Sequence, residues 1–262
     1  MLTDLQARVA RIMASNRSAE SYFAGGAVLN QHTSRQSDDL DVFTDTDEMI
    51  PDIVQKDVRS LEDAGYEVTI DLEIYGCTDA TVRGGGAATQ IQWMSETRMR
   101  FFPLQPDPAW GLRLHRADLA VNKVTAASTR RQARDILDLA LIGENYCPLG
   151  PLFLGAALKL GVLSPLALLN NARQRAVSAS NEELESLRGV PEGWTAGIIK
   201  TIVLEKLDRA ETFLREVPDK YLDGLPVGKD GTPLEREAFE VRPLQDGGGR
   251  FPTFPDAAPE FA

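Results

Sequence analysis

The 262-residue chain contains two cysteines, Cys77 and Cys147, and two histidines, His32 and His115. Two cysteines cannot build a disulfide framework, and the shortage of both residue types argues against a Cys/His zinc centre or a haem. Any metal is therefore expected on oxygen ligands. No apolar run approaches the roughly 20 residues that a bilayer-spanning helix needs, so no membrane contact is expected. The opening MLTDLQARVARIMASN lacks the apolar core of a secretion signal. Together with the few cysteines, this gives the expectation of a cytoplasmic protein. Positive charge is also scarce: 28 Lys+Arg against 39 Asp+Glu leave a net charge of −11, unfavourable for a general nucleic-acid binder. The exception is segment 111–180, where nine basic residues stand against four acidic ones. That segment is the seat predicted for a polyanionic partner.

Hydrophobic spacing predicts an α+β protein. Leu5, Val9, Ile12 and Met13 follow the period of an amphipathic helix. Gly25-Gly26 leads into a short helical stretch, and LDVF (40–43) reads as a strand. Thr46-Asp47-Glu48 is expected to cap a helix that runs to Ala64 and stops at Gly65. YEVTIDLEI and ATQIQWM read as two strands of a hairpin turning at Gly84–Gly86. From Asp118 the pattern is helical: DLAVNKVTAAS, RQARDILDLALIG, 149–161, 165–178 with Ser164 as N-cap and Pro165 behind it, and 195–217. After Pro218, seven prolines and six glycines in 45 residues read as a loop-rich tail. The predicted division is residues 1–145, a helical region 146–217, and the tail 218–262.

The chemistry concentrates in FAGGAVLNQHTSRQSDDLDVF (23–43). Asp39 and Asp41 lie two apart on a strand, so their side chains leave the same face about 7 Å apart. Paired carboxylates suit a hard divalent ion that completes its shell with phosphate and water. Gly25 and Gly26, at a helix start, let backbone N–H groups approach an anion closely. A phosphate cradle followed by a carboxylate pair is what a nucleoside-triphosphate site requires. A second block supplies charge: Lys123 on one helix, then Arg134, Asp135 and Asp138 on the next. Lys123 can neutralise phosphate, while Asp135 and Asp138 share a helix face and can hold that lysine or meet a substrate hydroxyl.

Gly25-Gly26, Ser37-x-Asp39-x-Asp41, Lys123 and Arg134-Asp135-x-x-Asp138 together resemble the AbiEii/AbiGii toxin-type nucleotidyltransferases, within the polymerase-β-like nucleotidyltransferase superfamily. The resemblance covers roughly residues 20–145. It implies a mixed sheet flanked by helices, followed by a helical C-terminal region. It implies Mg²⁺ or Mn²⁺ on Asp39 and Asp41, and an NTP substrate bound through Gly25, Gly26, Arg35, Ser37 and Lys123. Lys123, Asp135 and Asp138 would be the catalytic set. The implied activity is nucleotidyl transfer from an NTP to a hydroxyl acceptor such as tRNA. An RNA or protein acceptor on segment 111–180 and an antitoxin partner follow as expectations.

The sequence departs from that pattern at one point. Superfamily members usually carry a third carboxylate on a neighbouring strand, and ATQIQWMSE offers Gln92 there. A neutral amide cannot act as a base. Asp71 and Glu73 on the preceding strand, or Asp135, are the candidate substitutes. The alternative reading is a catalytically impaired relative that binds a nucleotide or a partner. Elsewhere, GKDGT (228–232) is read as a turn, His115 as the residue leading into a helix, and Trp93, Phe101 and Phe102 as core.

Overall fold

The first helix, α1 (Asp4–Ala14), begins with a reciprocal cap. The Gln6 N–H donates to the Thr3 hydroxyl at 3.1 Å, and the Thr3 N–H donates to the Gln6 side chain at 3.0 Å. Its Leu5, Val9 and Met13 are buried, as their spacing predicts. The Gln6 amide also donates to the Ser37 carbonyl at 2.9 Å, which ties α1 to the loop that carries the candidate site. The computed structural model describes residues 2–96, 99–235 and 240–245.

The N-terminal half continues through β1 (Ser21–Ala24), α2 (Gly25–Leu29), β2 (Asp39–Thr44), α3 (Ile50–Asp63), β3 (Glu67–Ile74), β4 (Cys77–Gly84), β5 (Ala87–Ser95), β6 (Gln105–Asp107) and β7 (Gly111–Arg113). These strands form one seven-stranded mixed sheet in the order β3-β4-β5-β2-β1-β7-β6. β2 runs parallel to β5 and antiparallel to β1, and β3, β4 and β5 form an antiparallel meander. Leu40, Val42, Ala80, Val82, Ile91 and Trp93 are fully buried on one face. On that face Trp93 donates its indole N–H to Asp57 of α3 at 2.8 Å. The alternate residues of β2, Asp39 and Asp41, therefore belong to the opposite face.

Two local expectations are corrected. The hairpin read from YEVTIDLEI to ATQIQWM is a three-stranded meander: β4 lies between them, and the chain turns at Gly76 as well as at Gly85–Gly86. CTDATVRG looks turn-like because its polar residues outnumber its apolar ones, yet its Ala80 and Val82 alternate into the core. Helix α3 starts at Ile50, with Pro51 in its first turn, after a short 3-10 turn over Asp47–Met49. Thr46 precedes that turn without a side-chain cap bond.

Helices follow: α4 (Arg116–Thr129), α5 (Ala133–Asn145), α6 (Gly150–Leu160), α7 (Pro165–Ser178), α8 (Asn181–Glu185) and α9 (Ala196–Glu216). His115 caps α4 by accepting the Ala117 N–H through Nδ1 at 3.1 Å, and Ser164 caps α7 through Ala167. α4 packs against α5, α6 and α7, and α9 packs across α5, α6 and α7. α2 bridges to α4, so the helical layer meets the sheet on the carboxylate face. Beyond α9, β8 (Gly224–Val227) pairs with β9 (Glu240–Pro243), and Leu225 and Val227 are buried in the same core. The GKDGT segment is a turn closed by Gly228 and Thr232. Among the described residues, no single helix is long and apolar enough to cross a membrane.

Candidate active site

The site is assembled where β1 ends and β2 begins. Ala24 of β1 lies opposite Asp41 of β2, so the chain leaves β1 beside that carboxylate and turns at once into α2. Gly25 has φ +70°, and a Cβ built on it would fall 1.6 Å from Oδ2 of Asp41. The residue must therefore be glycine for two reasons, backbone conformation and the carboxylate lying against it. The Gly26 N–H hydrogen-bonds to Asp41. A Cβ at Gly26 would meet the Ser37 hydroxyl at 3.0 Å and the Lys123 ammonium at 3.5 Å. Gly25, Gly26, Ser37, Asp41 and Lys123, 98 residues apart at the extremes, thus meet in one place.

Ser37 donates its hydroxyl to Asp39 at 2.8 Å, and Arg134 approaches the other oxygen of Asp39 at 3.4 Å. Burial, and then the neighbouring Asp39 carboxylate, push the Asp41 carboxyl up to about 7, against the opposing pull of Lys123, Arg134 and the Gly26 N–H. The cations present do not fully offset two carboxylates on one strand face. This donor set fits a hard divalent cation: two fixed carboxylates, with mutual repulsion that a cation relieves. Among the described residues no group of three or more Asp, Glu, His or Cys converges as a cage. The remaining ligands would be phosphate and water, the manner in which Mg²⁺ is commonly held. The Arg134 Nε is buried without a hydrogen-bond partner among the described residues, consistent with a side chain placed to receive an anion.

Behind this front lies a buried ion network. Lys123 pairs with Asp138 at 2.8 Å and Asp135 at 3.7 Å. Burial alone would lower its pKa, but Asp138 and Asp135 outweigh it and hold the ammonium protonated, above its ordinary value. Arg130 grips Asp135 with two hydrogen bonds, at 2.8 and 3.0 Å, and Asn30 donates to Asp138 at 2.9 Å. Arg35 lies 3.7 Å from Asp138. Burial would raise the Asp135 carboxyl, but Arg130 and Lys123 hold it below the usual carboxylate range. Asp135 and Asp138 are 0% and 1% exposed, and their carboxylates face Lys123, Arg130 and Arg35.

Ten of the residues singled out from the sequence converge here: Gly25, Gly26, Arg35, Ser37, Asp39, Asp41, Lys123, Arg134, Asp135 and Asp138. Asp71 and Glu73 do not. They lie on β3, beyond β4, and Asp71 accepts a hydrogen bond from Thr81 at 2.6 Å. Gln92 lies between Asp41 of β2 and Asp79 of β4, and it is Asp79 that accepts the Gln92 amide N–H at 2.7 Å. Sequence reading passed over Asp79 with its strand, although the alternation of Ala80 and Val82 with Asp79 and Thr81 is a usable signal. Arg130 and Asn30 were also missed, since nothing local marks them.

No protein-family profile and no curated protein matches the chain. Among the solved structures that share its fold are two nucleotidyltransferases. One is MenT4, a nucleotidyltransferase toxin from Mycobacterium tuberculosis H37Rv, with a TM-score of 0.58 and 13% identity, covering 82% of this chain and 83% of that one. The other is a provisionally assigned nucleotidyltransferase from H. pylori, with a TM-score of 0.51 and 12% identity, covering 82% of this chain and 96% of that one. The mixed sheet with flanking helices is a nucleotidyltransferase fold.

Proposed function

We propose that the protein is a divalent-metal-dependent nucleotidyltransferase that moves a nucleotidyl group from an NTP to a hydroxyl acceptor and releases pyrophosphate. The observation that carries this reading is the seating of Asp41 directly against the Gly25-Gly26 turn, with Asp39, Ser37, Lys123 and Arg134 around it. The fold shared with nucleotidyltransferases supports it.

In this reading Asp39 and Asp41 hold Mg²⁺ or Mn²⁺, which when bound supplies charge neutralisation at the phosphates. The Gly26 N–H and the Ser37 hydroxyl bind phosphate oxygens, which requires Asp41 and Asp39 to yield those two donors. Lys123 holds a fixed positive charge toward the leaving pyrophosphate, kept in place by Asp138 and Asp135. Arg134 binds a second phosphate oxygen, and Arg35, anchored at Asp138, keeps the wall of the cradle positive. The likeness to MenT4 supports a toxin role with an antitoxin partner. The cations Arg130, Arg131 and Arg134 at the junction of α4 and α5 support an RNA acceptor.

The test is incubation of the protein with Mg²⁺, α-labelled NTPs and separate pools of RNA, protein and small hydroxyl compounds. Label should enter one pool, and Asp41→Ala should reduce incorporation by about 10³-fold or more, the scale of several kcal/mol of lost charge stabilisation. Unchanged incorporation in Asp41→Ala would remove the site. Gln92 favours a second reading, nucleotide binding without turnover, for which NTP would bind tightly and neither label nor pyrophosphate would be released.

A further inference from the structure

The site face of the sheet continues past Asp41 in a direction that the nucleotide-binding groups do not use. Asp41 of β2 pairs in register with Gln92 of β5, and Gln92 pairs with Asp79 of β4. Residues paired across adjacent strands project from the same face, about 4.8 Å apart strand to strand. Asp41, Gln92 and Asp79 therefore form one row. The Gly25-Gly26 turn lies on the β1 side of Asp41, and Gln92 and Asp79 lie on its β5 side. The register of β3 shifts between Ile70 and Leu72, which brings Leu72 opposite Asp79 and extends the row by an apolar side chain that is 41% exposed. The helices packed on β3, β4 and β5 are α1 and α3, which cover the opposite face. Gln92 and Asp79 are half-buried, and Gln90 beside them is exposed.

The Gln92 amide has a defined orientation. A carboxylate only accepts hydrogen bonds, so Asp79 selects the Nε2 end of the amide, at 2.7 Å. The Oε1 end then faces away from Asp79 and is available to accept a hydrogen bond. In-line displacement at phosphorus places the attacking oxygen and the leaving group on opposite sides. With the pyrophosphate on the Gly26, Ser37 and Lys123 side of Asp41, the acceptor must come from the β5 side.

Building on the transfer reaction proposed above, we infer that Gln92 receives the acceptor hydroxyl and that Asp79 is a positioning residue that fixes the Gln92 amide. The acceptor approaches over the open face of β5 and β4, against Leu72. Its hydroxyl donates to Gln92 Oε1, which directs the oxygen lone pair at the α-phosphorus. The oxygen–phosphorus bond forms as the bond from the α-phosphorus to the bridging oxygen breaks. Pyrophosphate leaves with that electron pair, and the hydroxyl proton passes to water at the open face. Gln92 accepts a hydrogen bond and takes up no proton.

Pyrophosphate release from Mg²⁺·NTP, with water and with a total tRNA pool as acceptors, provides the kinetic readout. Calorimetric binding of an NTP analogue with a methylene bridge between the α- and β-phosphorus atoms provides the binding readout. Asp79→Asn and Gln92→Leu should lower release about 10- to 100-fold, the usual range for a lost orienting contact, and change analogue affinity less than about twofold. Asp79→Asn combined with Gln92→Glu exchanges amide and carboxylate between the strands, and should recover release to within about tenfold of wild type while adding a pH-dependent limb. Wild-type release in both single variants, or equal losses of binding and release, would overturn the positioning role. Absence of both binding and release in the wild-type protein would instead overturn the transferase reading, and this inference with it.

Discussion

The two faces of the central sheet each carry carboxylates, fully buried on the back and half-buried on the front, and they treat them in opposite ways. On the back face, Asp57 of α3 is fully engaged. It accepts from the Trp93 indole at 2.8 Å, from Asn16 at 2.9 Å and from both guanidinium contacts of Arg17, and both partners of that ion pair are 0% exposed. On the front face, Asp39 and Asp41 sit side by side, and the Asp41 carboxyl is pushed up to about 7 by burial and by its neighbour. The back face pairs the Asp57 carboxylate with Arg17 within the chain and so holds α3 to the sheet, although the Arg17 Nη1 is left without a hydrogen-bond partner among the described residues. The front face leaves a deficit of positive charge that a cation with its phosphates would fill. A buried carboxylate that the fold itself satisfies is structural, and one that the fold leaves in conflict is a candidate for chemistry.

Substitutions break this comparison from either side. The largest effect on stability should come from Asp57→Ala, which strands the Arg17 guanidinium in the core. A loss of about 3–5 kcal/mol is expected in chemical denaturation, the usual cost of breaking a buried pair. Asp41→Asn should instead leave stability unchanged or raise it, because it removes a carboxylate that burial and repulsion disfavour. A large loss in Asp41→Asn would mean that the front pair is also structural.

Gly25→Ala comes next. It forces a Cβ into the place of the Asp41 carboxylate at positive φ. Backbone strain of about 1–3 kcal/mol is expected, with loss of nucleotide binding, since the carboxylate must move. Gly85, also at positive φ but with open space around it, serves as the control. Gly85→Ala should show the backbone strain alone and retain binding.

The smallest effect is one of pH and concerns Glu96, at the far end of the front face. Burial pushes its carboxyl up to about 7; Asp118 adds to this, while Lys159, Arg100 and the Asn122 amide oppose it. A carboxyl with a folded-state pKa of about 7 and an ordinary value of 4.5 binds its proton more tightly in the folded chain. Its contribution to stability therefore falls as pH rises from about 4.5 to about 7. Glu96→Gln mimics the protonated form. The variant should gain melting temperature over wild type at pH 8 and lose that advantage below pH 4.5. An advantage independent of pH would show that Glu96 does not titrate in that window.

The same contrast explains what could be read from the sequence. Asp39, Asp41, Gly25 and Gly26 were legible because strand and turn chemistry are local, and Asp135 with Asp138 because helix spacing fixes the face they share. Ser164 before Pro165 marked α7 for the same reason. Asp57 attracted no notice, since a lone carboxylate on a helix face looks solvated until the Arg17 and Trp93 contacts, made over 40 and 36 residues, are seen. Asp79 was lost with β4, because the glycine triplet at 84–86 was a stronger turn signal than Gly76 and suggested two strands where the chain makes three. Its pairing with Gln92 is a matter of register, which no local pattern in this sequence specifies.

The central claim is that the front-face carboxylates are a binding site for Mg²⁺ with a nucleoside triphosphate. It is tested most directly by titrating each NTP into wild type and Asp41→Asn by calorimetry, with Mg²⁺ and with EDTA. The account predicts binding by wild type only with Mg²⁺, and at least about tenfold weaker binding by the variant, a difference of about 1.4 kcal/mol. Equal affinity in both proteins, or in the presence of EDTA, would contradict it.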